Sequence, residues 1–166
     1  VPTPTEAEMV TPTTGRPPSN DDGALNAGAI SNGTATVSNG ELVLNTGGLT
    51  SQDGYAIIHG PAVVSDTFTA DAGDVFKFDY SANANSDDFH VAGYLVNTAD
   101  NSITMALNET GRTASGTASV AVSSSGTYRF VFVNGTYDAS GGQALGAGMS
   151  VDNIRSEDPY NITSDV

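Results

Sequence analysis

The segment Thr127-Tyr-Arg-Phe-Val-Phe-Val133 puts Tyr128, Phe130 and Phe132 on one face of an extended chain and Arg129, Val131 and Val133 on the other. A period of two belongs to a β-strand, and three aromatic rings on one side demand a second layer to cover them. The same alternation appears in Val75 to Tyr80, where Phe76, Phe78 and Tyr80 oppose Lys77 and Asp79. One face of that strand is expected buried and the other wet. Further short runs lie at Thr34–Val37, Glu41–Leu44, Tyr55–His59, Ala62–Phe68, Val91–Val96, Ile103–Leu107, Ala118–Val122 and Ala147–Ile154. Gly, Asn, Asp and Ser punctuate the gaps, as in Ser38-Asn39-Gly40 and Ala72-Gly73-Asp74, which is turn chemistry. No stretch has helical periodicity. The expectation is an all-β fold, a two-sheet antiparallel β-sandwich of the jelly-roll kind.

Composition narrows the function. Five Lys and Arg stand against 19 Asp and Glu, a formal charge of −14. Such a surface repels nucleic acid and anionic membranes and suits divalent cations. Cysteine is absent, which excludes disulfides, thiolate metal sites and a cysteine nucleophile. No apolar run approaches the ~20 residues of a membrane-spanning helix. Together these properties predict an extracellular bacterial module, monomeric within a longer multidomain chain.

Along the chain, residues 1–20 mix Pro and Thr and read as a linker. The sandwich is expected over 21–155, with a polar tail or the start of a next module over 156–166. The long Gly-rich stretch from Asn134 to Gly146 reads as one wall of a binding site. Asn134, Tyr137, Asp138, Ser140 and Gln143 alternate there with Gly141 and Gly142, supplying oxygen ligands and a backbone that a ligand can approach closely. A second polar loop carries Asp87 and Asp88. Calcium takes six to eight oxygens, so Asp87, Asp88 and Asp138 are candidate metal ligands. The bland alternative is a solvated turn with two repelling carboxylates. Asp152 in the last strand is expected near the core edge, sharing a structural calcium with Asp21, Asp22 or Glu41, or else facing water as an edge-strand acid. His59 and His90 lack a spaced partner, no nucleophile elbow or phosphate loop is present, and the chain reads as a binding module rather than an enzyme.

Gly73 to Gly111 (GDVFKFDYSANANSDDFHVAGYLVNTADNSITMALNETG) and Gly126 to Ile154 (GTYRFVFVNGTYDASGGQALGAGMSVDNI) resemble the peptide-binding domain of giant repeats-in-toxin (RTX) adhesins of aquatic bacteria. The SVDNI ending is also similar to jelly-roll carbohydrate-binding modules. The adhesin resemblance implies a calcium-stabilised sandwich at the bacterial cell surface that grips the free C-terminus of proteins on a target cell, as in biofilm adhesion. Calcium would coordinate the peptide's terminal carboxylate. Loop chemistry then assigns Gly141 and Gly142 N–H groups to the peptide backbone and Tyr94 or Tyr137 to its side chains. A calcium-dependent carbohydrate-binding module is the competing expectation. Its weakness is a poor supply of stacking rings, with no Trp and six each of Tyr and Phe.

Overall fold

The computed structural model describes residues 9–13, 33–38, 40–50, 57–85, 87–137, 139 and 144–157. Among the described residues eleven strands run in chain order: β1 (Met9–Thr13), β2 (Gly33–Ser38), β3 (Glu41–Thr50), β4 (Ile57–Ser65), β5 (Phe68–Ala70), β6 (Val75–Ala84), β7 (Asp88–Asn97), β8 (Ile103–Gly111), β9 (Thr113–Ala121), β10 (Gly126–Tyr137) and β11 (Ala144–Glu157). They form two antiparallel sheets. The first has the order β1-β4-β10-β7-β8, with β5 also pairing β10, and the second the order β2-β3-β11-β6-β9. The chain crosses repeatedly between the layers, so most neighbours within a sheet are distant in sequence. The expected two-sheet β-sandwich is the observed fold.

Phe130 and Phe132 of β10 and Phe76 and Phe78 of β6 point into the space between the sheets, all fully buried. Phe130 is the hub. Its ring stacks on Phe132 at 5.4 Å and on Phe68 at 5.7 Å, and meets Phe76 and Phe78 edge-on at 6.0 and 6.1 Å. Edge-on and offset pairs suit the ring quadrupoles and add to the burial of apolar area. Gly93 of β7 leaves room for this arrangement, because a Cβ there would lie 2.9 Å from Phe78 and 3.2 Å from Phe132.

The two sheets differ in their outer faces. On the five-stranded sheet most residues alternating with the core are small and polar, with Val43 an apolar exception. On the other sheet a second apolar cluster, Ala62, Tyr94, Val96, Val131 and Val133, is buried on the side away from Phe130. β7 and β10 are therefore buried on both faces. That explains why Arg129-Phe130-Val131-Phe132-Val133 is almost continuously apolar.

Several boundaries differ from the sequence expectation. Residues 57–59 and 62–65, parts of two separate expected runs, join as β4 across a cis Gly60–Pro61 peptide, while Phe68 opens β5. Pro61 has no N–H to give the ladder, and the β4–β10 register shifts beside it, between Val133 and Gly135. Met9–Thr13, placed in the linker by composition, pairs antiparallel with β4. The Gly-rich stretch shortens, because β10 runs on to Tyr137 and β11 begins at Ala144.

Candidate functional site

The outer face of the five-stranded sheet is a lattice of small polar side chains. Register aligns them in rungs that cross the strands. The first rung is Thr34, Asn45, Gly148, Asn83 and Thr113. The second is Thr36, Val43, Ser150, Ser81 and Ser115. Neighbouring positions in a rung are about 4.8 Å apart and successive rungs about 7 Å, as strand geometry requires. Sequence alternation produces this directly, since each of these residues follows or precedes one that points into the core.

Gly148 is the floor of the first rung. A Cβ built on it would lie 2.9 Å from Asn45 Oδ1 and 3.7 Å from Asn83 Oδ1, so two carboxamides lean over bare backbone from the strands on either side. Both asparagines are exposed. On the next rung the hydroxyls of Ser81 and Ser150 are 2.6 Å apart.

The third rung is acidic. Asp152 of β11 lies opposite Asp79 of β6, which lies opposite Thr117 of β9. A bulge follows Asp152, where the β11–β6 register shifts before Arg155 and Asn153 takes a left-handed φ of 53°. Asn can hold that conformation, and the bulge re-aims the side chains after it. Arg155 Nη1 consequently donates to Asp79 Oδ1 at 3.3 Å and to the Asn153 carbonyl at 2.8 Å. Thr117 Oγ1 and Asn153 Nδ2 also donate to Asp79, at 2.8 and 3.2 Å. The Thr117 hydroxyl first, then the Asn153 amide and Arg155, hold the Asp79 carboxyl below its usual range.

For Asp152 the sequence leaves open a shared calcium at the core edge or a water-facing acid on an edge strand. It is exposed on an inner strand of the sheet, and its Oδ1 accepts the Asn153 N–H at 2.7 Å. Exposure leaves its carboxylate without a burial cost.

The loop ends are arranged as follows. Asp88 is the Cα partner of Tyr137, so the Asp87–Asp88 turn and the end of β10 lie at one end of the sandwich, as expected if those strands are neighbours. Arg112 shares this end. Its Nη1 donates to the Asp87 carbonyl at 2.8 Å and stands 4.0 Å from Asp88 Oδ1. Just inside, Thr136 Oγ1 donates to the Asp88 carbonyl and accepts from Gly146 N–H.

Two expected ligand-binding residues are interior. Asn134 is fully buried between the sheets, where its Nδ2 donates to Thr46 Oγ1 at 2.9 Å and to the Ala147 carbonyl at 3.0 Å. Thr46 in turn donates to the Gly60 carbonyl. This chain of bonds ties β10 to the opposite sheet, while Asn134 Oδ1 has no partner. Tyr94 is 1% exposed, within the outer apolar cluster. It alternates outward with Ala92 and Val96, and its neighbours there are valines, so its ring packs against the protein. Tyr137 is half-buried at the end of β10. Asp22, Asp138, Ser140, Gly141, Gly142 and Gln143 lie outside the described residues. Among the described residues no group of three or more His, Asp or Glu side chains converges so as to hold a metal ion.

Sequence reasoning missed Asn45, Asn83, Gly148 and Asp79. The available signal was the string of Thr, Ser and Asn at alternate positions of five strands. It becomes meaningful only once those strands are known to be neighbours.

No protein-family model matches the chain, and no curated protein does. Among solved structures it is similar to a family 4 carbohydrate-binding module, with a TM-score of 0.43 and 14% identity over 74% of this chain and 87% of that one. It is similar also to a family 28 carbohydrate-binding module specific for non-crystalline cellulose (0.43, 13%, 76% and 81%). A third is the N-terminal cellulose-binding domain of Cellulomonas fimi β-1,4-glucanase C (0.44, 12%, 77% and 84%). These likenesses concern general architecture.

Proposed function

We propose that the chain is a non-catalytic binding module, displayed outside a bacterial cell, whose five-stranded sheet binds neutral glycans on its outer face. The observation that carries this is the pair of carboxamides, Asn45 and Asn83, leaning over Gly148. A carboxamide offers donors and an acceptor together and can meet two adjacent sugar hydroxyls at once. A glycine floor lets a ring come close to the backbone. Serine and threonine hydroxyls on the same and the next rung repeat the polar contacts along the crossing direction.

Charge selects the glycan. Asp79 and Asp152 lie on this face, and the chain carries −14 overall, so uronic or sulfated polymers are disfavoured. With no ring on this face among the described residues to stack on, binding is weak, about −4 kcal/mol or millimolar. Repetition of the module along a chain or over a cell would make it effective.

Gly148→Ala tests the face. The new methyl group displaces the Asn45 carboxamide, a flexible side-chain end that can swing away, so stability should change by no more than about 0.5 kcal/mol. Retention on neutral polysaccharides in affinity electrophoresis should fall about tenfold or more, and Asn83→Ala should act likewise. Full retention by both variants would place the glycan elsewhere or nowhere on the domain.

A second reading keeps calcium and the peptide C-terminus. What supports it is the Asp88–Tyr137 pairing, which puts the Asp87–Asp88 turn beside the end of β10. An ion held there by Asp87, Asp88 and Asp138, with an open position, would take a terminal carboxylate that the acidic domain otherwise repels. Closely placed carboxylates also repel each other without the ion, so EDTA should lower the melting temperature by several degrees. Peptides with free C-termini should then bind and amidated ones should not. An unchanged melting temperature removes the calcium; equal binding of amidated peptides removes the carboxylate contact.

A further inference from the structure

An edge strand presents unpaired N–H and C=O groups, and natural edges are blunted by bulges, proline, charge or shortness. Among the described residues the outermost strands are β1 and β8 of one sheet and β2 and β9 of the other, and β1 and β8 carry such protection. β1 contains Pro12 and a register break between Met9 and Pro12. β8 has a register break opposite Gly93 and Tyr94 and bears Glu109. β2 has neither charge nor proline and pairs β3 without a break, but offers six residues against the nine of β9.

The fourth edge, β9, has none of these. It pairs β6 in unbroken register from Val75↔Ala121 to Asn83↔Thr113 and has no other partner strand among the described residues. Its nine residues, TASGTASVA, contain neither a charge nor a proline. In a chain of formal charge −14, an uncharged nine-residue strand is a place where two copies can meet without setting acid directly against acid. Thr113, Ser115, Thr117 and Ser119 are exposed on it.

The strand is also self-complementary. Turned antiparallel on itself about Thr117, it sets Ser115 opposite Ser119 of the partner subunit and Thr117 opposite its own copy, all on the polar face. On the core side Ala114 meets Val120 of the partner subunit, and Gly116 meets Ala118 of the partner subunit. Hydroxyl meets hydroxyl and small apolar meets small apolar, both favourable cross-strand pairings.

We propose that β9 is a homotypic docking edge: two copies of this chain pair antiparallel through β9 about a two-fold axis at Thr117, forming one continuous ten-stranded sheet. The symmetry is that of an isologous dimer. A single strand pair buries less than a standard interface, so the association is weak and reversible. The polar rungs of the two copies run on from one to the other, doubling the length of the lattice.

Sedimentation of the full chain up to about 1 mM, with amide hydrogen exchange at low and high concentration, tests this. The expected result is a reversible dimer with slowed exchange confined to Ala114–Val120. Ser115→Lys should raise the dissociation constant about tenfold or more, because a bulky charged side chain at the edge blocks pairing. Adding Ser119→Asp to that variant should restore dimerisation, since the introduced charges then face each other across the axis. A monomer at every concentration overturns the proposal, as does a dimer indifferent to Ser115→Lys or protection mapped to another strand. If Ser115→Lys does not fold, exchange in the unsubstituted chain decides alone.

Discussion

Phe130→Ala should lower stability by about 3–5 kcal/mol, the range for emptying a large ring from a packed core. Its ring touches four others, Phe68, Phe76, Phe78 and Phe132, and is fully buried. Those four come from β5, β6 and β10, so the cavity would lie between the sheets and not at a rim where the structure can collapse. Phe76→Ala, which removes contacts with two rings rather than four, should cost less. Domains of this size hold only about 5–15 kcal/mol in total, so Phe130→Ala should bring the urea midpoint down by about a fifth or more. A loss under about 1.5 kcal/mol would mean that the ring cluster is loosely packed and that some other element sets the spacing of the sheets.

The parts of this fold that could be read from sequence are those where large rings alternate with polar or aliphatic neighbours. β6 and β10 announce themselves because each Phe has a volume and a face. β9 does not, since Thr-Ala-Ser-Gly alternates hydroxyls with Ala and Gly, whose apolar signal is faint; only its end, Ala118 to Val122, stood out. β4 was split at Gly60–Pro61, a pair that ordinarily marks a turn but here sits beside a bulge. Met9–Thr13 gave no sign of a strand because Pro and Thr dominate its surroundings.

The candidate site was harder to read than the fold, for a related reason. Ser, Thr and Asn signal turns when they cluster in sequence, and attention therefore goes to loops such as Asn134 to Gly146. In the sandwich the same residue types lie one per strand along rungs, joined by register between segments as far apart as Asn45 and Gly148. Nothing local encodes that adjacency. Asn134 illustrates the opposite error. Its place among glycines suggested a ligand contact, yet it sits at the β4–β10 bulge, where its amide ties two sheets together.

Tyr94 leads to the remaining large effect, a loss of stability in alkali. Its hydroxyl is buried without a hydrogen-bond partner among the described residues, and burial pushes its pKa from 10.0 up to about 12. The folded state therefore holds the phenol proton at pH values where the unfolded chain has released it. Stability from this group is fully present below pH 10 and is lost as pH rises toward 12. Two units correspond to an effect on the order of 2–3 kcal/mol. Tyr94→Phe keeps the ring among Ala62, Val96, Val131 and Val133 and removes both the titration and the orphaned hydroxyl. At neutral pH the variant should be more stable by about 1 kcal/mol, and most of its alkaline slope should vanish. A smaller slope should persist from Tyr80, whose pKa is raised by burial and by the Glu109 carboxylate beside it. Denaturant melts of both proteins from about pH 8 to pH 12 separate the contributions. Parallel curves for the two would mean that the Tyr94 hydroxyl reaches water in solution, and the outer face of the six-stranded sheet would then be open rather than a second core.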